Sequence, residues 1–204
     1  MKEILAYLME AYHPHTILLY GSFADGSHNA HSDFDALVIT DQPPAAHDGR
    51  VVDGVALDVF LYPTSAFEGA VDYGQFLHLH DAIILVDDRG MGLALRQRAS
   101  QALRQLPQKS RAELTHQVEW CEKMLLRATR GDAEGFFRWH WLLVDSLEFY
   151  FDLRGWRYFG PKKALAALEA QDPQGFALYR QALSSFEYQA VGAWVAHLRG
   201  ALIP

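Results

Sequence analysis

Apolar residues open the chain at helical spacing: in "KEILAYLMEAY", residues 2–12, Ile4, Leu5, Leu8 and Met9 share one face. His13-Pro14 closes that helix, and "TILLYG" reads as a buried strand stopping at Gly21. "DALVIT" is a second strand, ended by the turn-rich "DQPPAAHDG". In "RVVDGVALDVFLYP" two β-rich runs flank Asp53-Gly54, a strong two-residue hairpin signal. "AIILVDD", residues 82–88, predicts a further strand, whereas "FLHLH" offers only a weak alternation that would place His78 and His80 on one face.

From Arg89 the period changes to that of helices. "MGLALRQRASQALRQL", "RAELTHQVEWCEKMLLRATRG", "AEGFFRWHWLLVDSLEFYFDLRG", "PKKALAALEA" and "GFALYRQALSSFEYQAVGAWVAHLRGAL" are all helical, with Gly, Asp and Pro between them. The expected fold class is α+β: a small mixed-sheet domain over residues 1–88, then an all-α helical bundle over 89–204.

Composition narrows the chemistry. Lys+Arg 18 against Asp+Glu 25 gives a net charge of −7, which argues against stable nucleic-acid binding, since that rests on neutralising phosphates. The single cysteine, Cys121, excludes an internal disulfide and any multi-cysteine zinc site. No apolar run approaches the roughly 18 residues of a membrane span, and no secretory pattern opens the chain, so a cytoplasmic location is expected.

The sharpest local feature is "LLYGSFADGSHNAHSDFDALVIT", residues 18–40. Strand side chains alternate, so Asp33 and Asp35 project to one side with Phe34 opposite. Like charges so placed cost stability unless their oxygens share a divalent cation, most simply Mg²⁺. Upstream, Gly21-Ser22 ends a strand in a turn where backbone N–H groups and a hydroxyl can approach a phosphate. Asp58 in "VALDVFLYP" is the sole charge of an apolar run, on the face opposite Leu57, Val59 and Leu61. A structural pairing with an arginine such as Arg50 is its alternative.

Gly21-Ser22, the spacing to Asp33-Phe34-Asp35, and the later strand aspartate resemble the DNA polymerase beta-type nucleotidyltransferase superfamily, in its minimal and aminoglycoside nucleotidyltransferase-like branch with a C-terminal helical domain. The resemblance covers residues ~15–62 closely. It implies transfer of a nucleoside monophosphate, AMP foremost, from ATP or another nucleoside triphosphate to a hydroxyl, with release of pyrophosphate. By position, Asp33, Asp35 and Asp58 would hold two Mg²⁺ ions, Asp58 would also help deprotonate the acceptor, and Gly21, Ser22 and Ser32 would contact the triphosphate. The same resemblance suggests a base at Glu148 and a phosphate-reaching lysine at Lys162 or Lys163.

The acceptor divides the readings. A small hydroxylated molecule, such as an aminoglycoside-like antibiotic, suits the acidic balance and the helical half. A protein hydroxyl, as in antitoxins that transfer AMP, is the alternative, and a catalytically silent nucleotide-binding regulatory module is a third. Other Asp-x-Asp chemistries fit less well: dehalogenase-type phosphatases and many glycosyltransferases place the pair after a strand, and an EF-hand loop would not continue as Ala36-Leu37-Val38. His28 and His31 read as solvated loop residues, and Arg111 with His116 matches a ribonuclease spacing without the expected polar neighbours. The aromatic-rich segment at 136–151 reads mainly as bundle core. The oligomeric state is not encoded in any of these patterns.

Overall fold

A computed structural model describes residues 1–43, 45–185 and 187–202. The chain divides into two units, Met1–Leu106 and Pro107–Pro204. In the first, α1 (Lys2–Tyr12) ends where His13 turns left-handed and its N–H returns to the Met9 carbonyl. Then come β1 (Thr16–Leu19), a short helix α2 (Gly21–Asp25), and β2 (Phe34–Thr40). The strands β3 (His47–Asp48), β4 (Val51–Val52) and β5 (Val55–Pro63) follow, and after two 3-10 segments, Thr64–Phe67 and Tyr73–Leu79, come β6 (Ile83–Asp87) and α3 (Met91–Gln105).

The strands form a mixed sheet in the order β3-β5-β2-β1-β6, with β4 also paired to β5. Among the described residues only β2 and β5 run parallel. Asp53 and Gly54 both take positive φ, 53° and 77°, which is the backbone that a tight hairpin between β4 and β5 requires. Both faces of the central strands are covered. Phe34, Ala36, Val38, Leu57, Val59 and Leu61 pack under Ile4, Leu8 and Tyr12 of α1. On the other face Leu18, Leu37 and Ile39 meet Phe76 and Leu79 of the second 3-10 segment and Leu95 and Ala99 of α3.

Three local outcomes differ from the sequence pattern. Residues 73–79 are 3-10 rather than extended, because the Asp72 carboxylate accepts the Gly74 N–H and starts a turn. His47–Asp48, inside the stretch that reads as a loop, pairs with Phe60 and Val59 as an edge strand; Pro44 of the same stretch lies outside the described residues. Finally, α3 packs with the sheet, so the first unit runs to Leu106, past the change of texture at residue 88.

The second unit is built from α4 (Arg111–Ala128), α5 (Ala133–Leu153), α6 (Pro161–Gln171), α7 (Pro173–Ser184) and α8 (Tyr188–Leu202). Ser110 and Glu113 form a reciprocal capping box at the start of α4. Trp194 is fully buried in the core, its indole N–H donating to Ser146 Oγ at 2.9 Å. The continuous helix expected over 175–202 is two helices: Ser185 is extended, and Phe186 lies outside the described residues. No helix among the described residues is long and apolar enough to cross a membrane.

Candidate active site

The parallel pairing of β2 with β5 decides the geometry. Its register sets Asp35 beside Asp58, then Leu37 beside Phe60 and Ile39 beside Tyr62. Residues aligned in a parallel pair share a face, so two acids far apart in sequence stand as neighbours. Phe34 and Leu57, one position earlier, point the other way into the core under α1.

Gly21 closes on this pair. It takes φ +67°, a conformation that side chains disfavour, and a Cβ built there would lie 2.2 Å from Asp35 Oδ2. The Asp35 carboxylate thus occupies the space that any other residue at position 21 would fill, and Gly21, followed by Ser22, opens α2. The Tyr20 N–H donates to the Asp35 carbonyl at 3.0 Å and ties the two segments together.

Asp33 and Ser32 lie just before β2, in the wall of a cleft of about 560 Å³ shared with Phe23, His28, Gly54 and Ala56. The loop that carries them is braced locally: Asn29 N–H donates to Ser32 Oγ at 2.9 Å and Ser32 N–H donates to the Asn29 carbonyl at 3.0 Å. His28 stacks on Phe23, ring centroids 4.2 Å apart.

Two members of the site have no signature in the sequence. His47 Nε2 stands 2.7 Å from Asp58 Oδ1, both side chains being nearly half exposed. Arg50, the structural partner considered for Asp58, pairs instead with Asp48 at 2.9 Å. Tyr20 is the second: burial, and then the charges of Asp58 and Asp35, push its hydroxyl pKa well above the ordinary tyrosine range. Only the fold reveals either one, since β3 exists through its pairing with β5 and Tyr20 is the last residue before a glycine turn.

Among the described residues no three His, Cys, Asp or Glu side chains form a ready metal cage. That donor set still fits Mg²⁺, which is held by one or two carboxylates together with substrate phosphates rather than by an all-protein shell. Asp35 and Asp58, paired across β2 and β5 beside Gly21, are the carboxylates that would hold it. Glu148 and Lys162 belong to the second unit: Glu148 is exposed on α5, its charge helping burial to raise the Tyr158 pKa, and Lys162 is exposed in the first turn of α6.

The model of the nucleotidyltransferase-domain family matches residues 1–94, which span the sheet and every residue of the first-unit site. A solved structure, a nucleotidyltransferase-like protein from Exiguobacterium sibiricum, is 16% identical, with 98% of this chain and 73% of that one covered at a TM-score of 0.44. No curated protein matches the chain.

Proposed function

We propose, from the premise that residues 1–94 are a nucleotidyltransferase domain, that the enzyme transfers AMP from Mg²⁺-ATP to a hydroxyl of a small molecule. The observation that carries this reading is the register of Asp35 with Asp58 against the side-chain-free face of Gly21. Gly21, Ser22 and Ser32 bind the triphosphate, and Asp33, Asp35 and Asp58 are the residues that would hold two Mg²⁺ ions. Bound there, the metal would neutralise the triphosphate and polarise the α-phosphorus.

Asp58 takes the proton of the acceptor hydroxyl. The hydroxyl oxygen then bonds to the α-phosphorus and the bond from that phosphorus to the bridging oxygen breaks, so pyrophosphate leaves. His47 holds one Asp58 oxygen and leaves the other for this work. Holding the reacting groups in one orientation contributes much of the rate gain, as for any positioned pair of reactants. The net charge of −7 favours a cationic acceptor, and an aminoglycoside-like antibiotic meets that description. Glu148 is proposed as a further base and Lys162 as a phosphate contact, in a protein that works in the cytoplasm.

Calorimetry across ATP, GTP, CTP and UTP, with and without Mg²⁺, tests the reading on wild type and Asp35→Asn. The expected result is metal-dependent binding of ATP, weakened in the variant while its melting temperature is kept. Metal-independent binding, or wild-type affinity in Asp35→Asn, would overturn it.

A further inference from the structure

The face that carries Asp35 and Asp58 does not end with them. One pleat further along β2 and β5, about 6.6 Å away, the same face opens into a hollow of about 110 Å³ lined by Tyr20, Leu37, Phe60, Tyr62, Phe76 and His78. Five of these six are rings. Tyr20 packs edge-on to His78 at 4.7 Å and Tyr62 edge-on to Phe76 at 5.6 Å, so the wall is braced by aromatic contacts. Phe60 sits at the lip and is 40% exposed, although its strand lies inside the sheet between β3 and β2.

We propose that this hollow is the nucleobase subsite of the transferase: the base of the bound nucleoside triphosphate inserts between Phe60 and the Tyr20–His78 pair. The assignment rests on the transferase reading and adds to it where the base goes. Three observations support it. The hollow admits one flat ring and little more. One pleat is about the span from the α-phosphorus of a nucleotide to its base, so a phosphate held at the acids delivers the base here. And the lining carries no carboxylate, so it suits a stacked ring better than the cationic, hydroxylated acceptor that the acidic chain favours.

The test is calorimetry on the full chain with Mg²⁺, using ATP and inorganic tripolyphosphate and no acceptor. The variants are Phe60→Ala, Phe60→Tyr and Asp35→Asn. Phe60→Ala is expected to weaken ATP on the order of tenfold and to leave tripolyphosphate unchanged, while Phe60→Tyr keeps ATP affinity. Equal ATP affinity in wild type and Phe60→Ala would overturn the assignment and give the hollow to a ring of the acceptor. Equal weakening of both ligands would also overturn it, because Phe60 would then act through His47, whose ring it packs against at 4.9 Å. If Asp35→Asn weakens both ligands while Phe60→Ala weakens neither, the transferase reading stands and the subsite falls. If wild type binds neither ligand, the transferase reading itself falls.

Discussion

Replacing Gly21 by alanine tests the site at its tightest point. The added Cβ would stand 2.2 Å from Asp35 Oδ2 and 2.8 Å from its Cγ, in a backbone at φ +67°. The left-handed conformation costs an alanine about 1 kcal/mol. Relief of the contact resembles overpacking, which costs about 1–3 kcal/mol, so the total is about 2–4 kcal/mol. To restore ordinary contact the carboxylate must retreat by about 1 Å, well beyond the roughly 0.5 Å that a working site tolerates. Melting followed by circular dichroism and Mg²⁺-ATP calorimetry would be run on wild type, Gly21→Ala, Asp35→Ala and the double variant. Gly21→Ala should lose most of its nucleotide affinity. In the Asp35→Ala background the two shortest contacts are gone and the Asp35 Cβ remains at 3.2 Å, so the same change should cost only the backbone part, about 1 kcal/mol. An equal cost in both backgrounds would refute the contact, and full nucleotide affinity in Gly21→Ala would refute the placement of the triphosphate.

Two further outcomes concern the frame of each unit. Asp48 is 4% exposed and accepts from Tyr12 Oη at 2.6 Å, Tyr7 Oη at 2.8 Å and Arg50 Nε at 2.9 Å, a network that ties α1 to β3 and so steadies the strand of His47. Asp48→Ala leaves those donors without their acceptor and should cost about 3 kcal/mol, read as a lower urea midpoint at unchanged slope; a loss under about 1 kcal/mol would contradict the network's role. In the second unit burial works against the charge of Asp172, but bonds from Tyr150, the Gly175 N–H and His197 outweigh it and hold its pKa at about 2. A pKa so lowered contributes stability that is present above about pH 4 and is lost as pH falls toward 2, about 2 kcal/mol in all. All five tryptophans lie in the second unit, so fluorescence melts report on it directly. Wild type should lose stability through that acid window more steeply than Asp172→Asn, and parallel profiles would refute the assignment.

Much of the first unit was legible because its signals are local. Helical spacing located α1, and the Asp53-Gly54 pair located the β4–β5 hairpin. The run from Gly21-Ser22 to Asp33 and Asp35, with Asp58 alone in an apolar strand, pointed to the enzyme class that the domain match supports. What escaped was set by tertiary pairing. His47 belongs to a strand of two residues that pairing alone creates, within a segment whose prolines and aspartates read as loop. Tyr20 looks like the last apolar residue of a strand, and only the fold puts its hydroxyl in the field of two carboxylates. The docking of the 3-10 segment at 73–79 and of α3 on the sheet depends on packing against Leu37 and Ile39, which no window of sequence contains.

The opposition of Asp35 and Asp58 is itself a property of the core. A slip of one residue between β2 and β5 would turn Asp58 into the packing under α1 and bring Leu57 or Val59 onto the acid face. Leu57, Val59 and Leu61 are each 3% exposed or less, so that slip would bury a carboxylate and expose three apolar side chains. Burial of those side chains, at about 1.5–3 kcal/mol each, therefore fixes the position of the acid they alternate with. The two carboxylates repel one another and no local preference brings them together. They stand side by side because the apolar residues that alternate with them have only one way to face.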